Sequence, residues 1–164
     1  MAVSMLDPVM DAPPWPHRGV IVYLWERSTS MHVHFVVLGS PISNQSSNLV
    51  LLTAWKVAVK AEATKAWTKP PLTGKLKAII INFHMGENPT VDVDNMSKPI
   101  LDMMNKLVYD DDRQIRQAEL VHVRIDTPMI FVHVAKIIVG SVQAGLPFVY
   151  VRIEDPVDPY PLPK

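Results

Sequence analysis

The chain has 164 residues, no cysteine, and equal numbers of acidic and basic side chains, so its formal net charge is zero. A chain of this length can bury most of its apolar surface as one domain. The lack of cysteine excludes disulfide frameworks, thiolate metal sites and thiol catalysis. No apolar run reaches the roughly 18 residues that a membrane span needs, and no secretory signal is evident at the amino terminus. We therefore expect a soluble, cytoplasmic protein.

Proline is concentrated at the two ends of the chain, with four residues among the first sixteen and four among the last nine. Proline fixes φ and removes a backbone donor, which disfavours regular structure. We expect residues 1–30 to form a partly disordered extension, with a short strand at Val20–Trp25. Residues 156–164 are predicted to be an irregular tail, which leaves residues 31–155 as the folded domain.

The first half of this domain is predicted to contain a strand, a loop and a helix. Met31–Leu38 has apolar residues that alternate onto one face, which indicates a strand, and the polar composition of Gly39–Asn48 predicts a loop. Leu49–Trp67 is predicted to be an amphipathic helix whose polar side carries Lys56 and Lys60. The apolar stripe of this helix consists of Leu51, Leu52, Trp55, Ala58, Val59, Ala63 and Ala66.

The second half begins with Leu76–Met85, whose almost continuous apolar character predicts a strand inside a sheet. A second helix is predicted over Met96–Val108, with Asn95 as its N-cap. Gln114–Ile125 and Phe148–Ile153 are predicted to be strands.

The segment Thr127–Leu146 fits either a helix or a strand. At least three strands with two amphipathic helices indicate an α+β protein. The predicted architecture is a two-layer sandwich of a mixed β-sheet and two main helices.

Charge is distributed unevenly along the chain. Six lysines and one acidic residue lie between Gln45 and Ile80, whereas seven acidic residues and two lysines lie between Glu87 and Asp112. A basic surface beside an acidic pocket suits a metal-dependent enzyme with a polyanionic substrate. The neutral total is at odds with this interpretation, because DNA-binding domains usually carry a basic excess.

Two aspartates separated by one residue follow the central apolar strand. If Val91–Asp94 is extended, Asp92 and Asp94 point to one face about 6.5 Å apart at the backbone. Carboxylates at this spacing suit one or two hard cations such as Mg²⁺. Lys98 lies four residues beyond Asp94 and could face it across a helical turn, and the free N–H groups at the helix start favour a phosphate.

Three adjacent aspartates, Asp110–Asp112, follow the second helix. Their mutual repulsion is costly unless they are solvated or neutralised by a cation. We therefore expect this run to supply a further metal-binding carboxylate.

Each feature also has an ordinary structural explanation. An isolated Asp-x-Asp pair is common on solvated turns, and a short acidic run usually forms an exposed turn. Lys98 could pair with Asp94 and Asp102 in a surface ladder worth only tenths of a kcal/mol. His32 and His34 alternate on a strand and could bind a metal, although exposed strand histidines are more common.

The combination is more specific than its parts. The chain runs Asp92-Val93-Asp94-Asn95-x-x-Lys98, then Leu101-Asp102, and then Asp111-Asp112-x-Gln114. This closely resembles the signature of the RusA family of Holliday junction resolvases, which has a D-x-D-N-x-x-K segment, a helix with an internal aspartate and a D-D-x-Q turn at a similar interval. The resemblance covers roughly residues 31–125, including the early loop at residues 39–44.

The resemblance implies a small homodimeric endonuclease, often encoded by phages, that uses Mg²⁺ to hydrolyse phosphodiesters at DNA junctions. The family's metal ligands carry over to Asp92, Asp94 and Asp112. Lys98 is implied as the essential basic residue. The candidate DNA contacts are Lys56, Lys60, Asn95 and Lys98.

The register of the aspartate turn stays open at this point. Asp111 matches the first aspartate of the family's pair and ranks below Asp112 as a ligand. The additional Asp110 allows two registers of this turn, which differ by one position.

Two other functions are compatible with the sequence. One is a non-catalytic, dimeric module of the same fold that binds branched DNA, which the neutral charge leaves open. The other is a nucleotide-sugar transferase that uses Asp-x-Asp with a metal, but a Gly-rich phosphate loop is missing from the sequence.

Overall fold

A computed structural model describes residues 21–24 and 30–157. The predictions for residues 1–20, 25–29 and 158–164 lie outside the described residues. The elements in chain order are β1 (Ile21–Leu24), β2 (Met31–Leu38), α1 (Leu49–Ala66), β3 (Leu76–His84), α2 (Ser97–Met104), a short 3₁₀ helix (Asp112–Gln114), β4 (Ile115–Arg124), β5 (Met129–Val132), α3 (Lys136–Gln143) and β6 (Phe148–Glu154). None of the helices in this part of the chain is both long enough and apolar enough to cross a membrane.

The main sheet is mixed and has the order β2-β6-β3-β4. Strand β6 is antiparallel to both of its neighbours, whereas β3 and β4 are parallel. The α+β class and the mixed sheet predicted from the sequence are confirmed. Strand β6, the last strand among the described residues, occupies an interior position between β2 and β3.

The interior position of β3 and β6 explains their composition. All seven residues of β6 are buried, and Lys77 alone in β3 is partly exposed. A strand that is covered on both faces needs apolar residues at nearly every position rather than at alternate ones. Strand β2 lies at the edge and shows the alternation that the sequence predicted, with Val33, Phe35 and Val37 buried.

Helices α1 and α2 pack against one face of the sheet and form the larger hydrophobic core. This core joins Trp55 and Val59 of α1 to Ile100 and Met104 of α2 and to Ile80 of β3. Within α1 the predicted stripe is correct at its centre and wrong at its ends, because Leu51 and Ala66 are exposed.

Helix α3 covers part of the opposite face. Its Ile138 packs with Ile79, Ile81 and Phe83 in a second, smaller core. The sequence of Thr127–Leu146 fitted either a helix or a strand, and the segment contains both. Strand β5 pairs in parallel with β1, and helix α3 follows it.

Helix α2 is shorter than predicted. It ends at Met104 because Asn105 adopts an extended conformation and Lys106 has a φ of 64°. The predicted cap is also wrong: Met96 occupies the N-cap position, and its side chain makes no capping hydrogen bond. The amide of Val108 still donates to the Met104 carbonyl, which keeps this turn against the core.

Candidate active site

The loop of residues 85–96, called here the aspartate loop, begins at the carboxyl ends of the parallel strands β3 and β4. Its start is fixed by Asp126, whose Oδ2 accepts the Gly86 amide proton at 3.0 Å. Asp126 is in turn paired with Arg124, with 2.6 Å between Oδ1 and Nε. Gly86 has a φ of 80°, a conformation that glycine adopts without the strain of a side chain.

The pairing of Asp126 predicts a pH dependence of stability. The Arg124 guanidinium, followed by the Gly86 amide, lowers the pKa of Asp126 from 3.8 to about 2. A lowered pKa in the folded state stabilises the protein above the ordinary carboxyl pKa, and this contribution is lost as the pH falls towards 2. We expect Asp126→Asn to lower the free energy of unfolding at pH 6, and the deficit to shrink between pH 4 and pH 2. Denaturant titrations across this range measure the difference, and a constant deficit would contradict the assignment.

Asp92 and Asp94 lie in a turn of the aspartate loop, so the extended conformation predicted for Val91–Asp94 is wrong. The Asn95 amide donates to the Asp92 carbonyl at 3.1 Å, and Ser97 Oγ donates to the Asp94 carbonyl at 3.1 Å. The chain has to turn here because α2 begins at once. Both carboxylates are exposed, and among the described residues neither makes a hydrogen bond or an ion pair.

Lys98, in the first turn of α2, lies between two carboxylates from different elements. Its Nζ is 2.5 Å from Asp102 Oδ1 and 3.5 Å from Asp112 Oδ2. Of the two partners in the ordinary surface-ladder explanation, Asp102 pairs with Lys98 and, within the described residues, Asp94 does not; the second partner is Asp112. The Asp102 carboxylate, assisted by Asp112, raises the pKa of Lys98, so the ammonium stays charged at neutral pH.

The structure distinguishes the three adjacent aspartates. The Asp111 carboxylate accepts the Arg113 amide proton at 2.9 Å and caps the 3₁₀ helix, which lowers the pKa of Asp111. The Asp112 carboxylate lies towards Lys98. Asp110 is exposed at the start of the turn. Asp112 is therefore the aspartate of the run that lies beside Lys98.

Gln114 fixes this turn through four hydrogen bonds. Its Oε1 accepts the amide protons of Asp110 and Asp111, each at 2.9 Å. Its Nε2 donates to the carbonyls of Leu72 at 2.9 Å and Gly74 at 3.0 Å. The side chain thus ties the turn of residues 110–114, called here the aspartate turn, to the segment that precedes β3.

We expect Gln114→Ala to lower the free energy of unfolding by about 1–3 kcal/mol, because it leaves several backbone groups without a partner. Urea unfolding of the wild-type protein and the variant measures this effect. Unchanged stability would mean that the four bonds contribute nothing net to folding.

Tyr109 lies beneath the aspartate turn and was missed at the level of sequence. It is fully buried, and its hydroxyl donates to the Leu101 carbonyl at 2.7 Å. Burial, followed by the nearby Asp112 and Asp102 carboxylates, raises the pKa of Tyr109 and keeps the phenol protonated. An aromatic residue directly before an acidic run was the available signal.

Three polar side chains on the sheet were also missed. Asn82 and His84 of β3 are 0% and 7% exposed. His122 of β4 lies beside them, with Nδ1 3.1 Å from Asn82 Nδ2. Burial and the neighbouring His84 lower the pKa of His122, against the opposing effects of the Val91 carbonyl and the Asp92 carboxylate. Two polar residues at the end of an otherwise apolar strand were the signal.

The donor chemistry of this region fits a hard divalent cation. Asp92, Asp94 and Asp112 offer only carboxylate oxygens, the ligands that Mg²⁺ takes together with water. The ammonium of Lys98 already lies between two carboxylates, so the site accommodates positive charge. Within residues 21–24 and 30–157, however, no three acidic or histidine side chains are close enough to form a ready-made metal site. The three-carboxylate metal site therefore stays a prediction.

The other candidate residues lie on α1 and in the aspartate loop. Lys60 is exposed and Lys56 half-buried on α1, which packs against α2, and Asn95 is half-buried in the aspartate loop. Their contact with DNA stays a prediction.

The two strand histidines have protein partners. His32 Nε2 lies 2.7 Å from Asp155 Oδ1, and His34 Nδ1 lies 3.1 Å from the Tyr150 hydroxyl.

Comparison with known proteins identifies the family. The family model described as Endodeoxyribonuclease RusA matches residues 51–154, which is more than half of the chain and includes Asp92, Asp94 and Asp112. No match is found among curated proteins. The chain therefore belongs to the RusA family of endodeoxyribonucleases, the family of Holliday junction resolvases that its motifs resemble.

Proposed function

We propose that this protein is a Mg²⁺-dependent endodeoxyribonuclease, a hydrolase that cuts four-way junctions and related branched DNA during recombination and repair. The observation that carries the proposal is the approach of Lys98 to Asp112. These residues are separated by 14 positions and belong to different elements, yet they lie together on an exposed surface. Family membership supplies the reaction class.

In this proposal Asp92, Asp94 and Asp112 hold the metal. When bound, Mg²⁺ supplies a Lewis acid at the phosphate and lowers the pKa of a water molecule. Lys98 has a different task. Because Asp102 and Asp112 keep its ammonium protonated, it can neutralise a non-bridging phosphate oxygen or the leaving oxygen, but it cannot accept a proton from water.

Asp102 and Gln114 act on this arrangement indirectly. Asp102 holds the Lys98 ammonium through the short contact along α2, and Gln114 holds the turn that presents Asp112. Each restricts a group that meets the substrate, which lowers the entropy cost of reaching the productive geometry.

A homodimer is part of the proposal. A four-way junction has two equivalent strands to cut, and a two-fold symmetric dimer presents two equivalent sites. Sedimentation of the purified protein with and without a junction measures this directly. A monomer in both states would contradict the dimer.

The test of the activity is nicking of a synthetic four-way junction, a flap and a linear duplex by purified protein at two salt concentrations. We expect cleavage of the branched substrates in Mg²⁺ and none in chelator. Binding should weaken with salt according to the number of phosphates contacted. Junction binding without cleavage in Mg²⁺ or Mn²⁺ would overturn the proposal in favour of a non-catalytic DNA-binding module.

A further inference from the structure

A polar cluster, formed by Asn82, His84 and His122, interrupts the apolar face of the sheet that lies under α1 and α2. The preceding residues of the same face, such as Ala78 and Ile80, belong to the hydrophobic core. The rings of His84 and His122 meet edge to face, with 5.8 Å between their centroids. The cluster lies at the carboxyl ends of β3 and β4, where the aspartate loop begins.

Two atoms of this cluster have unused hydrogen-bonding capacity. Asn82 is fully buried, and its Oδ1 lacks a partner within the described part of the chain. The same holds for His122 Nε2. A buried polar atom without a partner is costly, and such atoms in folded proteins are usually completed by a water molecule, an ion or a further contact.

The contact between Asn82 and His122 determines which nitrogen is available. Asn82 Nδ2 donates to His122 Nδ1 over 3.1 Å, so a neutral imidazole carries its proton on Nε2. Because Nδ1 is occupied, Nε2 is the nitrogen left for the aspartate loop. The Val91 backbone and the charge of the Asp92 carboxylate both oppose the lowering of the pKa of His122, so the ring faces the aspartate loop. The approach to Val91 is a hydrogen-bond contact that falls short of full hydrogen-bond geometry, which leaves Nε2 unsatisfied.

We propose that His122, oriented by Asn82, is a positioning residue for Asp92, and that its Nε2–H donates a hydrogen bond to the Val91–Asp92 segment when Asp92 binds a divalent cation. This inference rests on the proposed function, because it needs Asp92 to be a metal ligand. Carboxylates that bind metals are themselves held by hydrogen bonds from surrounding side chains. Within the described residues Asp92 has no other hydrogen-bond partner for its side chain.

The test compares His122→Leu with His122→Gln in the full-length protein. Leucine fills the space without a donor, whereas glutamine places an N–H group near the position of Nε2. The matched control is His32→Leu, which removes a histidine that is paired with Asp155 on the edge strand β2. Mn²⁺ binding is measured by electron paramagnetic resonance, and hydrogen exchange is measured for peptides covering residues 86–96.

We expect His122→Leu to weaken Mn²⁺ binding by about 10–100-fold, the usual effect of removing a hydrogen-bond partner of a metal ligand. Exchange in residues 86–96 should become faster in the same variant. His122→Gln should restore both towards the wild-type values, and His32→Leu should change neither. This pattern separates a hydrogen-bond donor from a merely space-filling residue.

Two results would overturn the inference. One is wild-type Mn²⁺ affinity and wild-type exchange in His122→Leu. The other is a His122→Gln variant as defective as His122→Leu, which would show that the donor is not what matters. A wild-type protein that binds no Mn²⁺ would refute the metal site of the proposed function, and unchanged exchange in His122→Leu would then refute the contact separately.

Discussion

Replacing Asp92 with asparagine is expected to reduce Mg²⁺-dependent nicking of a four-way junction by about a thousandfold or more. The estimate follows because Lewis-acid stabilisation by a metal is worth several kcal/mol and each 1.4 kcal/mol is about a tenfold change in rate. Asparagine keeps the size of the side chain, and the Asp92 side chain makes no hydrogen bond in the described structure that its loss would break. Folding and junction binding should therefore be preserved.

The three adjacent aspartates provide matched controls for this experiment. Asp112→Asn should lose activity as Asp92→Asn does, because Asp112 is the member of the run that lies beside Lys98. Asp110→Asn should keep activity near the wild-type level. Asp111→Ala removes the cap of the 3₁₀ helix and should affect stability before chemistry. Equal loss of activity in the Asp110 and Asp112 variants would contradict the assignment.

Replacing Lys98 with methionine is expected to lower the cleavage rate by about 100–1000-fold, as removal of one preorganised group that stabilises developing charge does. Mn²⁺ binding should persist, because Lys98 contacts carboxylates as a cation and is not itself a ligand. Single-turnover cleavage with saturating protein separates the chemical step from DNA binding. Lys106→Met, in the exposed turn after α2, is the control.

The pH profile tests the role of Lys98 independently. Because its pKa is raised, Lys98 stays protonated at every pH below the ordinary lysine pKa and loses its proton only above it. A cationic role therefore predicts no activation that depends on Lys98 between pH 6 and 9. A rate increase over this interval that disappears in Lys98→Met would contradict the cationic role, since it would indicate a proton acceptor.

The elements set by local periodicity were predictable from the sequence. The alternation of β2 indicated a strand with one buried face, and the continuous apolar run of β3 indicated a place inside the sheet, because side-chain burial follows sheet position directly. The interior position of β6 was not predictable, since it depends on pairing with strands distant in sequence.

The candidate site was predictable in its residues and less so in its geometry. The sequence identified Asp112 and Lys98, and the structure brings them together. The sequence did not predict the turn at Asp92, which forms because the chain enters α2 within a few residues. The contact between Asn82 and His122 joins strands 40 residues apart, so no local pattern could have revealed it.

Family membership and the geometry of the site support different conclusions. The match over residues 51–154 gives the reaction class, while the positions of Lys98, Asp111 and Asp112 favour Asp112 as the member of the acidic run that serves the proposed site. The neutral net charge of the chain is compatible with this division. Affinity for DNA depends on the charge near the phosphates rather than on the total.

The most direct measurement is the position of the ion itself, in crystals grown with Mn²⁺ and recorded at a wavelength where manganese scatters anomalously. We expect an anomalous peak in direct coordination with carboxylate oxygens of Asp92, Asp94 and Asp112, and the loss of that peak in Asp92→Asn. A peak held by other residues, or an ion that binds equally well in Asp92→Asn, would contradict the proposed metal site.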